Sequence, residues 1–333
     1  MNMRLIGIFI LLLFINSCSN VKVNPCINDA VIFESIKETK DRTICFNSVD
    51  SYDLDYENKK NIVIHGHLTF PKIKQDLYTA VILSHGSGGI RKFHREYVDM
   101  LNEHGYVVFQ IDHYTNRGIK YDKTFSKTSG VTFMNDAYKA LNLVKTHPKI
   151  NKIGYIGWSK GGVGPILSHF KYVTDFINHG KINFDASIAI YPYCGFTFPK
   201  DSITTIPLLI LTGSDDKLTP EKACKNLHEK FNKDNKITHI SLEGATHGWD
   251  NFFLYFGFFL KKLPSLDIIN NDCTVTISNN GAIMTLNKKI ISDPTLHEEL
   301  LHDCSSKGVE LKYNSEAADK TKILILDYLE KYL

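Results

Sequence analysis

The stretch Gly157-Trp158-Ser159-Lys160-Gly161-Gly162 places a serine between glycines and decides the fold of this chain. It follows a short apolar run over residues 152–156 and opens a segment of helical character, so the local order is strand, turn and helix. A serine in such a turn is held away from the backbone with its hydroxyl exposed, ready to attack a carbonyl. The neighbouring glycines suit a strained turn with little room for side chains. The pattern alone is a modest signal, and its meaning depends on the rest of the chain.

The composition is that of a globular protein. The chain has 333 residues, of which 43% are hydrophobic and 23% are charged, and this is enough to form a full core in one or two domains. The formal net charge is +3, and the sequence contains no run of five basic residues. Nothing in the charge pattern therefore indicates a nucleic acid as partner.

The N-terminus has the features of an export signal. A basic start is followed by an apolar run over residues 5–15, which suits a signal sequence and is short for a bilayer span. The run ends in Ile15-Asn16-Ser17-Cys18, which resembles a bacterial lipobox, and the resemblance implies cleavage before Cys18 and lipidation of that cysteine. We expect residues 1–17 to be a lipoprotein signal peptide and Cys18 to anchor an exported protein on a membrane. The alternative is a plain secretory signal followed by a chance cysteine.

The residue after Cys18 bears on location within the cell envelope. Ser19, rather than an aspartate, stands there, which resembles the sorting signal of outer-membrane lipoproteins. In a cell with two membranes, the expected location is therefore the periplasmic face of the outer membrane.

Six of the seven cysteines follow Cys18, and an even number in an exported chain suggests disulfides. The pairs closest in sequence are Cys26 with Cys45 and Cys273 with Cys304, although six cysteines allow about 15 connectivities. No C-x-x-C pair is present, so neither a thioredoxin-type site nor a zinc ribbon is predicted.

From residue 61 onward the sequence alternates between apolar runs and helical patterns, whereas residues 18–60 are polar and are predicted to be a linker and N-terminal extension. Predicted strands cover residues 62–70, 80–84, 106–112, 152–156, 186–191, 206–212 and 237–242, and predicted helices cover residues 92–104, 133–146 and 315–333. Short apolar strands separated by amphipathic helices indicate an α/β fold, with a mostly parallel sheet covered by helices on both faces. In such folds the functional site lies at the carboxyl ends of the strands.

One region departs from this regular pattern. Residues 251–307 are predicted to be an insertion within a domain that spans residues 61–333. The aromatic stretch 252–260 inside it has two interpretations, a packing segment or an acyl-binding wall or lid. The segment 297–302 places two histidines five residues apart, so they would not share a helix face and no metal site is predicted.

A serine nucleophile needs a base, and the base needs an acid that orients it. Asp215 and Asp216 follow the predicted strand 206–212, and His247 lies in a small-residue loop after the predicted strand 237–242. All three lie where parallel strands end, so either aspartate is a candidate to orient the histidine.

The oxyanion of such a reaction is stabilised by two backbone N–H groups. The segment Ser84-His85-Gly86-Ser87-Gly88-Gly89 follows the predicted strand 80–84, and Ser87 is predicted to supply one donor. Lys160, directly after the nucleophile, is predicted to supply the other through its backbone, with its side chain facing solvent. His85 is predicted to be a structural residue of its loop.

With serine, acid and histidine in this order, the chain resembles the α/β-hydrolase fold and, within it, the dienelactone hydrolase family. Further segments similar to that family are residues 110–118, 135–138 and 308–318. The family pattern G-x-x-D-x-x-x-P selects Asp216, and Asp215 is then expected to shape the turn. Dienelactone hydrolase itself uses a cysteine nucleophile, so Ser159 makes this chain more similar to the serine-bearing relatives.

The resemblance implies a serine hydrolase that cleaves small-molecule carboxylic esters in the cell envelope with Ser159, His247 and Asp216, and that needs neither a metal nor an organic cofactor. Arg117 is a candidate either to bind a substrate carboxylate or to fix its loop. Trp158 is a candidate pocket or packing residue. The alternatives are an exopeptidase or amidase with the same three residues, or a non-catalytic binding lipoprotein that keeps the fold.

Overall fold

The computed structural model describes residues 24–27, 30–54, 59–178, 181–198, 206–232, 234, 236–266, 274–285, 290–291 and 294–333. The predicted signal peptide, Cys18 and Cys273 lie outside these ranges. Among the helices within them, none is both long and apolar enough to cross a membrane.

A central sheet of eight strands organises the chain. Its strands are β1 (Arg42–Asp50), β2 (Lys60–Thr69), β3 (Tyr78–Ser84), β4 (Val107–Asp112), β5 (Ile150–Trp158), β6 (Ala186–Ile190), β8 (Leu208–Gly213) and β9 (Ile237–Leu242). Their order is β1-β2-β4-β3-β5-β6-β8-β9. The strands from β4 to β9 in this order run parallel, and β1 and β2 are antiparallel additions at one edge. The predicted mostly parallel sheet is confirmed.

Helices cover both faces of this sheet, as predicted. The helices are α1 (Lys92–Glu103), α2 (Gly130–Val144), α3 (Val163–Ser168), α4 (Lys171–Asn178), α5 (Glu221–Phe231), α6 (Pro294–Asp303) and α7 (Ser315–Tyr332). Side chains of β3 alternate between two separate buried clusters, because successive residues of a strand point to opposite faces. Ala80 and Ile82 join the cluster under α2 to α5, whereas Val81 and Leu83 join the cluster under α1 and α7.

The N-terminal extension contributes to the sheet, which the sequence analysis did not predict. β1 pairs with β2 along its whole length, and Ile44 and Phe46 are buried in the core. The predicted disulfide between Cys26 and Cys45 is confirmed and ties the chain before β1 to that strand. Residues 42–50 are therefore part of the domain and not a linker.

A second disulfide joins Cys194 to Cys224, a pair that the sequence analysis left unassigned. It connects the loop after β6 to α5. The predicted pairing of Cys273 with Cys304 stays a prediction, because Cys273 is outside the described residues.

The region 251–307 forms small sheets of its own. β10 (Phe258–Leu266) pairs antiparallel with β13 (Ser305–Leu311), and β11 (Val275–Ile277) lies between β12 (Ile283–Thr285) and β7 (Phe196–Thr197). The hydrogen bonds that attach this region to the domain include one from the Leu54 amide to the Gly281 carbonyl at 2.9 Å and one from the Tyr172 hydroxyl to the Ser278 carbonyl at 2.5 Å.

The aromatic stretch 252–260 is not a packing segment, so that interpretation is wrong. Phe253 is 58% exposed, and Phe256 is 91% exposed. Helix α7 is capped by the side chain of Asn314, which accepts a hydrogen bond from the Ala317 amide, and not by Ser315.

Candidate active site

Ser159 lies in the tight turn between β5 and the short helical turn Ser159–Gly162. Its φ of 52° is in the left-handed region, which a non-glycine residue adopts at a cost and which turns its side chain out of the sheet edge. A Cβ atom at Gly157 would overlap the carbonyl oxygen of Gly161, and one at Gly161 would lie 2.6 Å from the carbonyl oxygen of His85. The two glycines of the motif are therefore required by the packing of the turn.

Three side chains from three strand ends meet at this turn. Nε2 of His247 lies 2.9 Å from Oγ of Ser159, and Nδ1 of His247 lies 2.7 Å from Oδ2 of Asp216. All three residues are less than a tenth exposed. The arrangement can move a proton from the serine hydroxyl to the imidazole, with the carboxylate fixing the ring.

The loop after β8 fixes the carboxylate of Asp216. Oδ1 accepts hydrogen bonds from the amides of Leu218 and Thr219 at 2.8 and 2.9 Å, and Oδ2 accepts one from the hydroxyl of Thr219 at 2.9 Å. Asp215 is exposed, and its amide donates to the carbonyl of Ala245 in the loop that leads to His247. Of the two candidate acids, the geometry thus brings Asp216 to the histidine and gives Asp215 a place in the turn.

The two predicted oxyanion donors flank the serine. The loop of Ser87 passes close to it, since a Cβ atom at Gly86 would lie 3.0 Å from Cβ of Ser159. The Ser87 carbonyl accepts a hydrogen bond from the Asp122 amide at 2.8 Å, which fixes the loop from the outside. Lys160 is the second residue of its helical turn, so its N–H has no carbonyl one turn earlier to bind.

The side chain of Lys160 does not face solvent, which corrects the prediction. It is 8% exposed, and its Nζ donates to Oδ2 of Asp122, the carbonyl of Phe125 and the hydroxyl of Thr128 at 2.8, 3.0 and 3.2 Å. Burial lowers the pKa of Lys160, and the charge of Asp122 opposes that shift. The ammonium therefore holds the loop of residues 122–128 beside the serine.

Arg117 fixes its loop and does not reach the site, so the alternative of a substrate carboxylate contact is wrong. Its guanidinium forms a two-pronged pair with Asp136 at 2.8 and 2.9 Å, and it also donates to Asp50 at 2.6 Å and to the carbonyl of His113 at 2.7 Å. Burial alone would raise the pKa of Asp136, but the charge of Arg117 holds it below its ordinary value. Nε and both Nη atoms of the guanidinium thus donate hydrogen bonds to other residues of the fold.

Beneath the oxyanion loop lies a second array of serine, histidine and aspartate that the sequence analysis missed. His113 contacts Asp136 through Nδ1 at 2.7 Å and Ser84 through Nε2 at 3.0 Å, and all three are fully buried. Burial lowers the pKa of His113 and keeps the ring neutral. The amide of His113 donates to Nε2 of His85 at 3.1 Å, so the predicted structural role of His85 agrees with its contacts. With no access to solvent, this array supports the loop and does no chemistry.

Trp158 is a packing residue that also lines the cleft at Ser159. It is 1% exposed, and its Nε1 donates to Oδ2 of Asp250 at 2.9 Å. The hydroxyls of Tyr97 and Tyr191 donate to the same carboxylate at 2.7 and 2.8 Å. Burial raises the pKa of Asp250, and these three donors oppose the shift. Nothing in the motif pattern marked Asp250, which fixes the tryptophan behind the serine.

Among the cavities lined by described residues, two include Ser159. One is an open cleft of about 630 Å³ that also includes Ser87 and His247. The other, the enclosed cavity, is the less open of the two, measures about 140 Å³ and includes Lys160. Within the described part of the chain, no group of three or more histidine, cysteine, aspartate or glutamate side chains is placed to hold a metal ion.

Comparison with known sequences decides the family. Residues 64–252, more than half of the chain, match the sequence profile of the dienelactone hydrolase family. The chain belongs to the dienelactone hydrolase family. The matched segment runs from β2 past His247 and so includes all three residues that meet at Ser159. A search of curated proteins found no significant match.

The family match and the observed strand order confirm the predicted α/β-hydrolase fold. Solved structures are also similar to this dienelactone hydrolase family member, each with a TM-score below 0.5. The chain is similar to the protein Est1E from Butyrivibrio proteoclasticus, with 16% identity over 61% of this chain and 92% of that one and a TM-score of 0.43. It is also similar to a putative dienelactone hydrolase from Klebsiella pneumoniae, with 16% identity over 63% and 90% and a TM-score of 0.44. The esterase Pf2001 of Pyrococcus furiosus shows 18% identity over 66% and 89% and a TM-score of 0.44.

Proposed function

We propose that this protein hydrolyses carboxylic esters through an acyl-enzyme on Ser159. His247 takes the proton of the serine hydroxyl as that oxygen attacks the ester carbonyl, and the backbone N–H groups of Ser87 and Lys160 stabilise the oxyanion. Asp216 holds the imidazole in the tautomer that presents an unprotonated Nε2 to the serine. The observation that carries the proposal is the unbroken line of contacts from Asp216 through His247 to Ser159.

The second half of the reaction uses the same groups. The imidazolium of His247 gives its proton to the leaving alkoxide, and the alcohol departs with the acyl group still bound to Ser159. Water, activated by the neutral His247, then attacks the acyl-enzyme and releases the carboxylic acid. The original serine proton leaves with the alcohol, and a proton of the water passes through His247 to Ser159 as the acid is released. The enzyme is thus restored, and the scheme requires no metal or organic cofactor.

The proposal is tested by comparing an ester with the corresponding amide. We expect the full chain in detergent to hydrolyse p-nitrophenyl acetate much faster than p-nitroacetanilide, and Ser159→Ala to lose at least about 10³-fold in kcat. Preference for amide or peptide substrates would instead favour the exopeptidase or amidase alternative. Absence of turnover of either substrate, with the fold intact by circular dichroism, would favour a binding lipoprotein.

We also propose that the protein is an exported lipoprotein, held on a membrane by lipidated Cys18. The motif Ile15-Asn16-Ser17-Cys18 at the end of an apolar run supports this. Asn24 accepts a hydrogen bond from Asn116, directly after β4, so it lies at the same sheet edge as Ser159. Because Cys18 precedes Asn24 by six positions, its lipid would be attached within about 20 Å of Asn24.

The membrane attachment has its own test. We expect the wild-type protein to sediment with membranes and Cys18→Ser to lose metabolic labelling by a palmitate analogue. Equal labelling of both proteins would contradict lipidation at Cys18. Labelled protein on the periplasmic face of the outer membrane is the expected result in a cell with two membranes.

A further inference from the structure

The cavities beside Ser159 differ in shape and share one wall. Both are partly open to solvent, the larger one more widely, and Phe125 and Leu218 line both of them together with the serine. An ester bound with its carbonyl carbon at Ser159 can therefore place its acyl half in one cavity and its alcohol half in the other. The residues that line each cavity determine which half it binds.

The enclosed cavity is apolar. Helices α2 and α3 contribute Val131, Val163 and Leu167. The region 251–307 contributes the far wall, which consists of Val275, Ile283, Ile291, Leu300 and Leu301. Of the described residues that line it, Lys160 alone carries a charge, and its ammonium is bound by Asp122, Phe125 and Thr128. An apolar guest therefore gains by leaving water, and a charged guest finds no free charge to pair with among these residues, although the hydroxyl of Tyr193 has no partner within the described chain.

His247 determines which half of the ester lies where. It lines the open cleft and is not among the residues that line the enclosed cavity. The leaving alkoxide must take its proton from His247, so the alcohol half has to lie in the open cleft. The acyl half, which stays on Ser159, is left with the enclosed cavity.

The volume of the enclosed cavity limits the length of the acyl group. A protein cavity of about 150 Å³ holds a guest of the size of benzene, and this one measures about 140 Å³. We propose that the enclosed cavity is the acyl site, that it takes apolar acyl groups of about six carbons, and that the region 251–307 sets this limit. The inference rests on the proposed ester hydrolysis and adds the substrate class to it.

The test is the dependence of kcat/KM on acyl length at a constant leaving group. The substrates are p-nitrophenyl acetate, butyrate, hexanoate, octanoate and dodecanoate. From acetate to hexanoate, we expect kcat/KM to rise by at most about fourfold for each added methylene. It should then fall for dodecanoate, which exceeds the cavity. Cyclohexanecarboxylate and benzoate esters show whether a ring is accepted as well as a chain.

Two variants in the far wall move the limit in opposite directions. Leu301→Trp fills part of the cavity and should lower kcat/KM for hexanoate at least tenfold while acetate is nearly unaffected. Ile283→Ala enlarges it and should move the optimum toward octanoate. Both residues are only half-buried, so we expect the fold to tolerate the changes. Ile323→Ala, at an exposed position of α7, serves as a control for the loss of isoleucine atoms away from the site.

The outcome separates this inference from the proposed function. Turnover of acetate that depends on Ser159, with a rise that continues through dodecanoate or with no response to either wall variant, would overturn the acyl-site assignment and leave ester hydrolysis standing. Loss of turnover for every ester in the wild-type protein would overturn both. An optimum near hexanoate that moves as described supports the assignment.

Discussion

The Nζ atom of Lys160 lies 2.8 Å from Oδ2 of Asp122, and both side chains are nearly fully buried next to the nucleophile. The lysine that follows Ser159 in sequence is thus committed to an ion pair. Its partner loop carries Phe125, which lines both cavities at the serine. The pair connects the nucleophile turn to the wall of the substrate site, and Lys160 is a positioning residue through its side chain.

Replacement of Lys160 by methionine should destabilise the protein. The change leaves the carboxylate of Asp122 buried without its cation, which costs about 3–5 kcal/mol of unfolding free energy. Urea unfolding measures this loss, and the double variant Lys160→Met/Asp122→Asn should regain most of it. Equal stability of the single variant and the wild type would contradict the account.

Replacement of Gly161 by alanine should disturb the nucleophile turn. The added Cβ would lie 2.6 Å from the carbonyl oxygen of His85, in backbone that cannot move without shifting β3. We expect a loss of about 1–3 kcal/mol in stability together with a fall in kcat. Gly118→Ala is the control for backbone strain without a clash, because φ of Gly118 is positive at 68° while nothing lies within 4 Å of the new atom. Similar loss of kcat in both variants would show that packing at Gly161 is not the cause.

Replacement of Asp136 by asparagine should be among the most destabilising single changes in the domain. It leaves the guanidinium of Arg117 buried without its two-pronged partner, at a cost of about 3–5 kcal/mol. The control is Asp99→Asn, which breaks the exposed pair with Arg95 and should cost less than about 1 kcal/mol. Denaturant midpoints of the two variants that lie close together would contradict this difference.

Stability should fall as the pH falls below neutrality, partly because of His169. Burial lowers the pKa of His169 to about 4, whereas an unfolded histidine has a pKa of about 6.5. Between these two pH values His169 is protonated in the unfolded chain but not in the folded one. Its contribution to the free energy of unfolding is therefore complete above about pH 6.5 and is lost as the pH falls toward 4. Urea unfolding at pH 7.5 and 5 should show a smaller pH effect in His169→Leu than in the wild type. An identical pH effect in the two proteins would exclude this role.

The sequence predicts the fold and the three meeting residues well, because both follow from local patterns at strand ends. Apolar runs mark the parallel strands, and the carboxyl ends of those strands bring Ser159, Asp216 and His247 together without knowledge of packing. The glycines around Ser159 were predictable for the same reason, since the turn itself requires them.

Other features depend on contacts that sequence order does not show. Lys160 was expected in solvent because adjacency to Ser159 says nothing about which loop covers its side chain. Two further features depend on tertiary contacts in the same way. Cys194 pairs with Cys224 across 30 residues, and β1 joins the edge of the sheet. The aromatic stretch 252–260 is exposed although its composition is that of a core, so hydrophobicity alone predicted the wrong environment.

The central claim is that Ser159 forms the covalent intermediate, and the site of an active-site-directed adduct tests it most directly. After reaction with a fluorophosphonate, peptide mass mapping should place the adduct on Ser159, with none on Ser159→Ala and a much slower reaction in His247→Ala. An adduct on another residue, or ester hydrolysis by Ser159→Ala at the wild-type rate, would contradict the account.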